Sequence, residues 1–309
     1  MTDASIDIPE PRLPVVWHEA YEVDIGPHVF PTQKYRLVRD RLIARRTIAA
    51  SDVLRPDPAT DEQVGLVHTT EYLNEIRTGT LSVADQLTLE VPFSPALRDA
   101  MWLCAGGSTL VGQLALRHGI AVHLGGGFHH AFADHGEGFC LINDVAIAVR
   151  VLLREGVIER AAVIDCDVHQ GNGTAAIFAP DASVFTCSFH QERNYPAWKP
   201  PSDLDVGLDD GTGDEEYHAL IDEHIPSILA EHRPEVIFYL AGADPYRQDQ
   251  LGGLGLTMQG LHERDEKIFR YARDAGVPVA VTLAGGYAIH QADTVEIHCG
   301  TVRAAAEAT

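Results

Sequence analysis

Short apolar runs recur along this chain at Val15–Trp17, Ile120–Leu124, Ala161–Ile164, Ser183–Cys187, Val236–Leu240 and Val277–Leu283. Runs of this length predict strands buried on both faces. Between them, apolar residues recur at helical spacing over Gln33–Ala49, Pro95–Arg117, Asp144–Arg154, Glu215–Glu231 and Gln259–Ala275. Strand alternating with helix predicts parallel βαβ units and a sheet covered on both sides. The punctuation agrees: Asp61 and Glu62 open one segment, Gly156 follows the helix ending near Glu155, and Gly276 follows Ala275. Residues 1–13 (MTDASIDIPEPRL) are polar and broken by Pro9 and Pro11, which predicts a disordered lead-in. From Pro14 onward no linker, repeat or low-complexity tract interrupts the pattern, so one compact α/β domain is expected over 14–309.

Four of the predicted strands run into polar clusters. Ile120–Leu124 leads into Gly125-Gly126-Gly127-Phe128-His129-His130, and Ala161–Ile164 leads into Asp165-Cys166-Asp167-Val168-His169. Val236–Leu240 leads into Ala241-Gly242-Ala243-Asp244, and Val277–Leu283 into Ala284-Gly285-Gly286-Tyr287. Open parallel sheets bind ligands at the carboxyl ends of their strands, so these four ends predict one assembled site. If the 165–169 segment is extended, Asp165, Asp167 and His169 share a face.

Composition narrows the classes. The chain has 309 residues, 45% of them hydrophobic and 22% charged, which is ordinary for a globular protein. A formal charge of −22 argues against nucleic acid as a partner, since phosphate recognition needs clustered Lys and Arg. It would draw in lysine-rich peptides or polyamines, though a general need for solubility accounts for it better, and charge alone does not choose the substrate. No apolar stretch is long enough for a membrane span, and no basic segment followed by an apolar one marks a signal peptide. The five cysteines (104, 140, 166, 187 and 299) form no CxxC pair, which predicts reduced thiols in a cytoplasmic setting.

The residue types then suggest a chemistry. Asp167, His169 and Asp244 offer two carboxylates and an imidazole, a set suited to a divalent cation that keeps open positions for water and substrate. Such a metal acidifies water and polarises a carbonyl. Asp244 has a plainer alternative as a helix N-cap, since Pro245 favours a first helical turn. His129 and His130 can divide acid and base work, provided each has an orienting partner. Asp165 and Asn172 are the candidates: a carboxylate behind His129 would favour its imidazolium, and an amide behind His130 would leave it nearer a neutral base. Tyr287 after two glycines could donate a hydrogen bond to an oxyanion, and Phe139 could line an apolar tunnel or simply pack in the core.

Together these residues resemble the histone deacetylase family, within the arginase/deacetylase fold, from about Pro14 to Gly300. The segments that carry the likeness are GGGFHHA (125–131), GEGFCLINDVAIA (136–148), VIDCDVHQGNGT (163–174), AGADPYRQDQLGGL (241–254) and LAGGY (283–287). Asn172 in HQGNG, the Asn194-Tyr195-Pro196 stretch and DQLGGLGLT (249–257) look most like the class IV branch and its bacterial relatives. The resemblance implies a three-layer fold with an eight-stranded, mostly parallel sheet flanked by helices. It implies a zinc-dependent hydrolase that removes acyl groups from lysine side chains, with Asp167, His169 and Asp244 holding one Zn2+. His130 becomes the general base, His129 its partner, Asp165 and Asn172 their orienting groups, and Tyr287 the oxyanion donor. Gly138, Phe139 and Tyr195 match a tunnel for the acyl-lysine chain, and Ser188 and Phe189 match a K+ site beside Asp165, Asp167 and His169. Class IV kinship implies a preference for long fatty acyl groups, with tunnel depth set by the loops Glu22–Gln33 and Thr80–Ser94.

Three other readings compete. Acetylpolyamines or other small N-acyl amines could be the substrates of the same site. A non-catalytic acyl-lysine binding module would not need His129, His130, Asp165 and Tyr287. An arginase-like site with two metals needs further bridging carboxylates, which the DxDxH order followed by Asn172 does not supply.

Overall fold

The computed structural model describes residues 12–309. Most of the expected lead-in lies outside the described residues, and its last residue, Leu13, is buried in the core instead of disordered. Among the described residues eight strands form one sheet: β1 (Val15–Val16), β2 (Val53–Leu54), β3 (Ile120–His123), β4 (Ala161–Asp165), β5 (Val184–Gln191), β6 (Leu204–Leu208), β7 (Val236–Leu240) and β8 (Val279–Thr282). Their order is β2-β1-β3-β8-β7-β4-β5-β6, and every pairing is parallel rather than mostly so.

β4 shows why the sheet is covered on both sides. Ala161 and Val163 pack into one apolar cluster, with Phe238 and Ala280 and with Val111, Val145 and Leu152 of the helices on that face. Ala162 and Ile164 point the other way, into a cluster with Ile237, Val281, Ile225, Ile268 and Val302. Alternate residues thus serve opposite layers, the two-residue period of a strand. The first layer comes from α5 (Pro95–His118) and α6 (Asp144–Arg154), and the second from α8 (Asp214–His232), α9 (Met258–Ala275) and α10 (Gln291–Ala308). Local signals set the ends of α5: Ser94 caps Leu97, Pro95 takes the first turn, and Gly119 at φ 85° ends it.

The remaining helices are α1 (Lys34–Ala44), α2 (Asp61–Val64), α3 (Thr70–Thr78), α4 (Val83–Leu89) and α7 (Asn172–Phe178). α1 stops five residues before the expected Ala49, because the chain turns at Arg46 with φ 58°. β5 extends past Cys187 through Ser188-Phe189-His190-Gln191, whose polar members hid its length. β2 is too short for a period to register, and β6 sits on the sheet edge with Asp205 and Gly207 exposed. The expected loop at Thr80–Ser94 contains α4.

β3, β8, β7 and β4 are neighbours at the centre of the sheet. Their parallel carboxyl ends therefore deliver the four polar clusters to one place.

Candidate active site

The segment after β4 is bent and not extended. Asp165 Oδ1 accepts the amide N–H of Asp167 at 3.0 Å, and Asp167 Oδ1 accepts that of His169 at 3.0 Å. Each aspartate turns the chain over its own side chain. The bends point Asp165 away toward His129 while Asp167 and His169 face Asp244. The ligand atoms of Asp167, His169 and Asp244 all lie within 4.8 Å of one another, and all three residues are buried. His169 Nδ1 is 3.0 Å from Asp167 Oδ1 and 3.7 Å from Asp244 Oδ2.

Backbone amides fix the two carboxylates. Gly285 N–H donates to Asp167 Oδ2 at 2.8 Å and Val168 N–H to Asp244 Oδ1 at 2.9 Å. Asp244 is therefore no helix cap, since its oxygen takes an amide from another strand end and the next α-helix opens at Met258. Its Oδ2 is buried without a partner. Burial and the adjacent Asp167 push the Asp244 carboxyl well above its usual range, as expected of two carboxylates in a dry site with no cation between them. The orphaned oxygen and the oxygen–nitrogen donor set fit a divalent metal such as zinc. A second cluster, His262, Glu266 and Glu307, lies on partly exposed helix surfaces.

The histidines occupy the loop after β3. Gly126 and Gly127 take φ 69° and 84°, and a Cβ at Gly127 would lie 2.7 Å from the Ala284 Cα, so the β3 and β8 loops meet there without side chains. Asp144 braces this loop by accepting the amides of Gly127 (3.1 Å) and Phe128 (2.7 Å). His129 Nδ1 lies 2.6 Å from Asp165 Oδ2, His130 Nδ1 lies 2.7 Å from Asn172 Oδ1, and the two Nε2 atoms are 3.1 Å apart. Burial works against a charge on His129, but the carboxylates of Asp165 and Asp167 outweigh it and raise its pKa to about 9. Burial, followed by the neighbouring His129 and His169, pushes His130 well below its ordinary value. One imidazole is poised as a cation and the other as a neutral base.

A tunnel of about 180 Å3 reaches His130 and His169, walled by Gly138, Phe139, Tyr195, Tyr287, Leu251 and Glu90. Gly138 and Phe139, at φ 49° and 71°, are the corner of a tight turn from Glu137 to Cys140. A Cβ at Gly138 would lie 2.7 Å from the His130 ring, so this corner requires glycine. Phe139 stacks on Phe30 at 6.2 Å and meets Tyr287 edge-on at 5.9 Å, and Tyr195 meets His130 edge-on at 5.0 Å. The expected rim loops do meet: His28 Nε2 donates to the Glu90 carbonyl at 3.0 Å. A cavity of only about 20 Å3 lies among His129, His130, Asp167, His169 and Tyr287, with Phe30, Tyr35 and Cys140 also in its wall. Ser188 pairs with Asp165 in the β4–β5 register, while the Phe189 side chain is buried against Tyr217.

Several supporting residues escaped the sequence. Glu137 accepts from Asn172 Nδ2 at 2.6 Å and from the Tyr195 hydroxyl at 2.8 Å. Asp249 accepts the Tyr287 amide at 2.6 Å, and the buried Lys34 donates to the Ala284 carbonyl at 2.6 Å. Arg264, fully buried and paired with Asp265, donates to the carbonyls of both Cys166 (3.2 Å) and Gly242 (2.8 Å), tying together the two loops that carry Asp167 and Asp244. A charged residue inside an otherwise apolar helix pattern, as Arg264 and Asp265 are, was the available signal.

All five cysteines are free and buried, and among the described residues no helix is long and apolar enough to cross a membrane.

Comparison with known proteins bears on the family and the fold. The family described as "Histone deacetylase domain" matches residues 28–301. An uncharacterized protein of Picosynechococcus sp. is 39% identical over 294 residues, covering 95% of this chain and 98% of its own length. A protein of Archaeoglobus fulgidus named "Probable deacetylase" is 32% identical, covering 90% of this chain and 82% of its own. The fold is also that of the crystal structure of an HDAC homolog complexed with SAHA, with TM-score 0.82 at 22% identity, covering 96% of this chain and 84% of that one.

Proposed function

The chain belongs to the histone deacetylase family, and from that premise and the geometry of the site we propose that it is a zinc-dependent hydrolase removing short acyl groups from the side-chain amine of lysine. What carries the reading is the pair of unlike histidines beside the Asp167–His169–Asp244 triad, their Nε2 atoms 3.1 Å apart, one backed by a carboxylate and the other by an amide. Zinc held by that triad would supply Lewis acidity at the tunnel floor. His130, kept neutral, takes the proton of the attacking water through Nε2. His129, held protonated by Asp165, offsets the developing negative charge and serves as a proton source for the departing amine. The Tyr287 phenol, which burial and the nearby carboxylates keep protonated, donates to the carbonyl oxygen as it gains charge. Gly138, Phe139 and Tyr195 enclose the alkyl chain of the lysine. The same reading sets K+ among oxygen atoms of Asp165, Asp167, His169, Ser188 and Phe189, and the enzyme in the cytoplasm.

Class IV kinship implied a fatty acyl substrate. The roughly 20 Å3 enclosed between the site residues and Phe30, Tyr35 and Cys140 suits about one water molecule or a methyl group, which favours acetyl. Glu90 at the tunnel mouth supports a second reading, a cationic small molecule such as an acetylpolyamine. Tyr287→Phe and His130→Ala should each lower kcat on an acetyl-lysine peptide by about 10^2–10^4 while zinc stays bound. Wild-type rates in both zinc-loaded variants would sink the assignment. Rates on acetyl-lysine peptide, myristoyl-lysine peptide and acetylspermidine then rank the substrates.

A further inference from the structure

Glu137 has no place in the chemistry above, yet its carboxylate sits one residue away from the base. It opens the tight turn that carries Gly138 and Phe139, closed by Glu137 N–H to Cys140 O at 3.0 Å and Cys140 N–H to Glu137 O at 2.8 Å. Its side chain is only 16% exposed. Oε1 accepts from Asn172 Nδ2 at 2.6 Å and from the Tyr195 hydroxyl at 2.8 Å, and Oε2 faces His135 Nε2 at 3.4 Å.

An ionised carboxylate can only accept hydrogen bonds. The end of Asn172 that faces Glu137 must therefore be its NH2 group, and the end that faces His130 must be its carbonyl oxygen. That oxygen, 2.7 Å from His130 Nδ1, can in turn only accept, so the proton of the neutral ring resides on Nδ1. The lone pair is then on Nε2, the nitrogen that faces His129 at 3.1 Å. Without Glu137 the amide is free to turn over and present NH2 to Nδ1. The ring would then carry its proton on Nε2, where a base needs its lone pair. Asp in place of Asn172 would have no such ambiguity, which is why an amide here needs a second residue behind it.

We propose that Glu137 is a positioning residue that holds the Asn172 amide one way round and, together with the Nε2–H of the protonated His129, fixes the tautomer of His130 so that the lone pair of the base lies on Nε2. The role rests on the deacylase reading for its consequence but not for its geometry. Hydrogen bonds from His135, Tyr195 and Asn172 prevail over burial and keep the Glu137 carboxyl below its usual range, so it stays an acceptor.

Two readouts test this. Imidazole 15N resonances of His130, assigned by their loss in His130→Ala, report which nitrogen is protonated. Glu137→Ala should move proton occupancy from Nδ1 toward Nε2, and should lower kcat about 10- to 100-fold with a smaller change in KM. Glu137→Gln, whose carbonyl still accepts from Asn172, should restore most of both. In an Asn172→Ala background, Glu137→Ala should cost no more than a further about 2-fold, because its lever is gone. Tyr195→Phe, which removes only the other bond to Oε1, should leave the His130 tautomer unchanged. An unaltered tautomer in folded Glu137→Ala, or full additivity with Asn172→Ala, would overturn the proposal. A wild-type protein without amidohydrolase activity would instead overturn the functional reading, while the 15N measurement would still decide the part played by Glu137.

Discussion

The floor of the tunnel and its rim are built by opposite means. At the floor, Asp167, His169 and Asp244 follow strand ends, each carboxylate takes a backbone amide, and Arg264 locks the loops from behind. No side chain fits at Gly285, which lies so close to Asp167 Oδ2 and Asp244 Oδ2 that a Cβ would occupy their place. At the rim, α4 exposes Val83 (75%) and Leu87 (72%), and Glu90 ends that helix in a left-handed conformation at φ 61°. Reaction geometry is thus held by backbone and sheet, and access by short helices and side chains. The contrast separates what the chemistry requires from what a substrate can select.

The largest expected effect lies at the floor. Gly285→Ala would drive a methyl group into both ligand carboxylates and should weaken zinc binding on the order of 100-fold, judged against the cost of disturbing groups that orient metal ligands. Metal content after dialysis against a graded chelator measures it. Retention of zinc at wild-type affinity would mean that the β8 loop yields, and that the floor is no more rigid than the rim.

A smaller effect concerns the charge behind His129. Its folded pKa of about 9 lies above the ordinary imidazole value near 6.5, so folding favours the protonated ring. In the metal-free protein this contribution is fully present below about pH 6.5 and is lost as pH rises through about 9. Asp165→Asn removes the main partner of that charge and should flatten the fall in stability across this window, by on the order of 1–2 kcal/mol. Urea denaturation of both metal-free proteins from pH 6 to 9.5 reads it, and parallel curves would detach His129 from Asp165.

The same contrast explains what the sequence could disclose. Asp167, His169, Asp244, His129 and His130 each follow an apolar run that forms a strand, so sequence position alone brought them to one edge of the sheet. The pairing of Asp165 with His129 was foreseen, but not the bends that achieve it, because the two aspartates turn the chain through hydrogen bonds that no alternation pattern encodes. Glu137, Lys34 and Asp249 act across distances of 35, 250 and 38 residues. Nothing local marks such contacts. β6 was missed because an edge strand with exposed Asp205 and Gly207 lacks the apolar run of a buried one. The size of the small cavity depends on how Phe30, Tyr35 and Cys140 close together, which is a property of packing and not of motif.

The smallest effect belongs to the rim and should carry the opposite sign. Glu90 holds a left-handed backbone that costs an L-residue about 1–2 kcal/mol, and this is the position after a helix that glycine normally takes. Glycine itself loses about 0.5–1 kcal/mol through the freedom of the unfolded chain. Glu90→Gly should therefore raise stability by about 0.5–1 kcal/mol, on the order of 2 °C in Tm for a chain of this size. The backbone carbonyl that accepts from His28 survives the change, so the rim keeps its shape. What it loses is a carboxylate at the mouth. KM for an acetyl-lysine peptide flanked by lysines should then rise on the order of 2- to 5-fold at low salt, and less at 0.5 M salt, where charges more than about 4–5 Å apart are screened. A variant that is less stable than wild type would show that the Glu90 side chain holds the rim as firmly as Asp249 and Arg264 hold the floor, and the division between the two regions would fail.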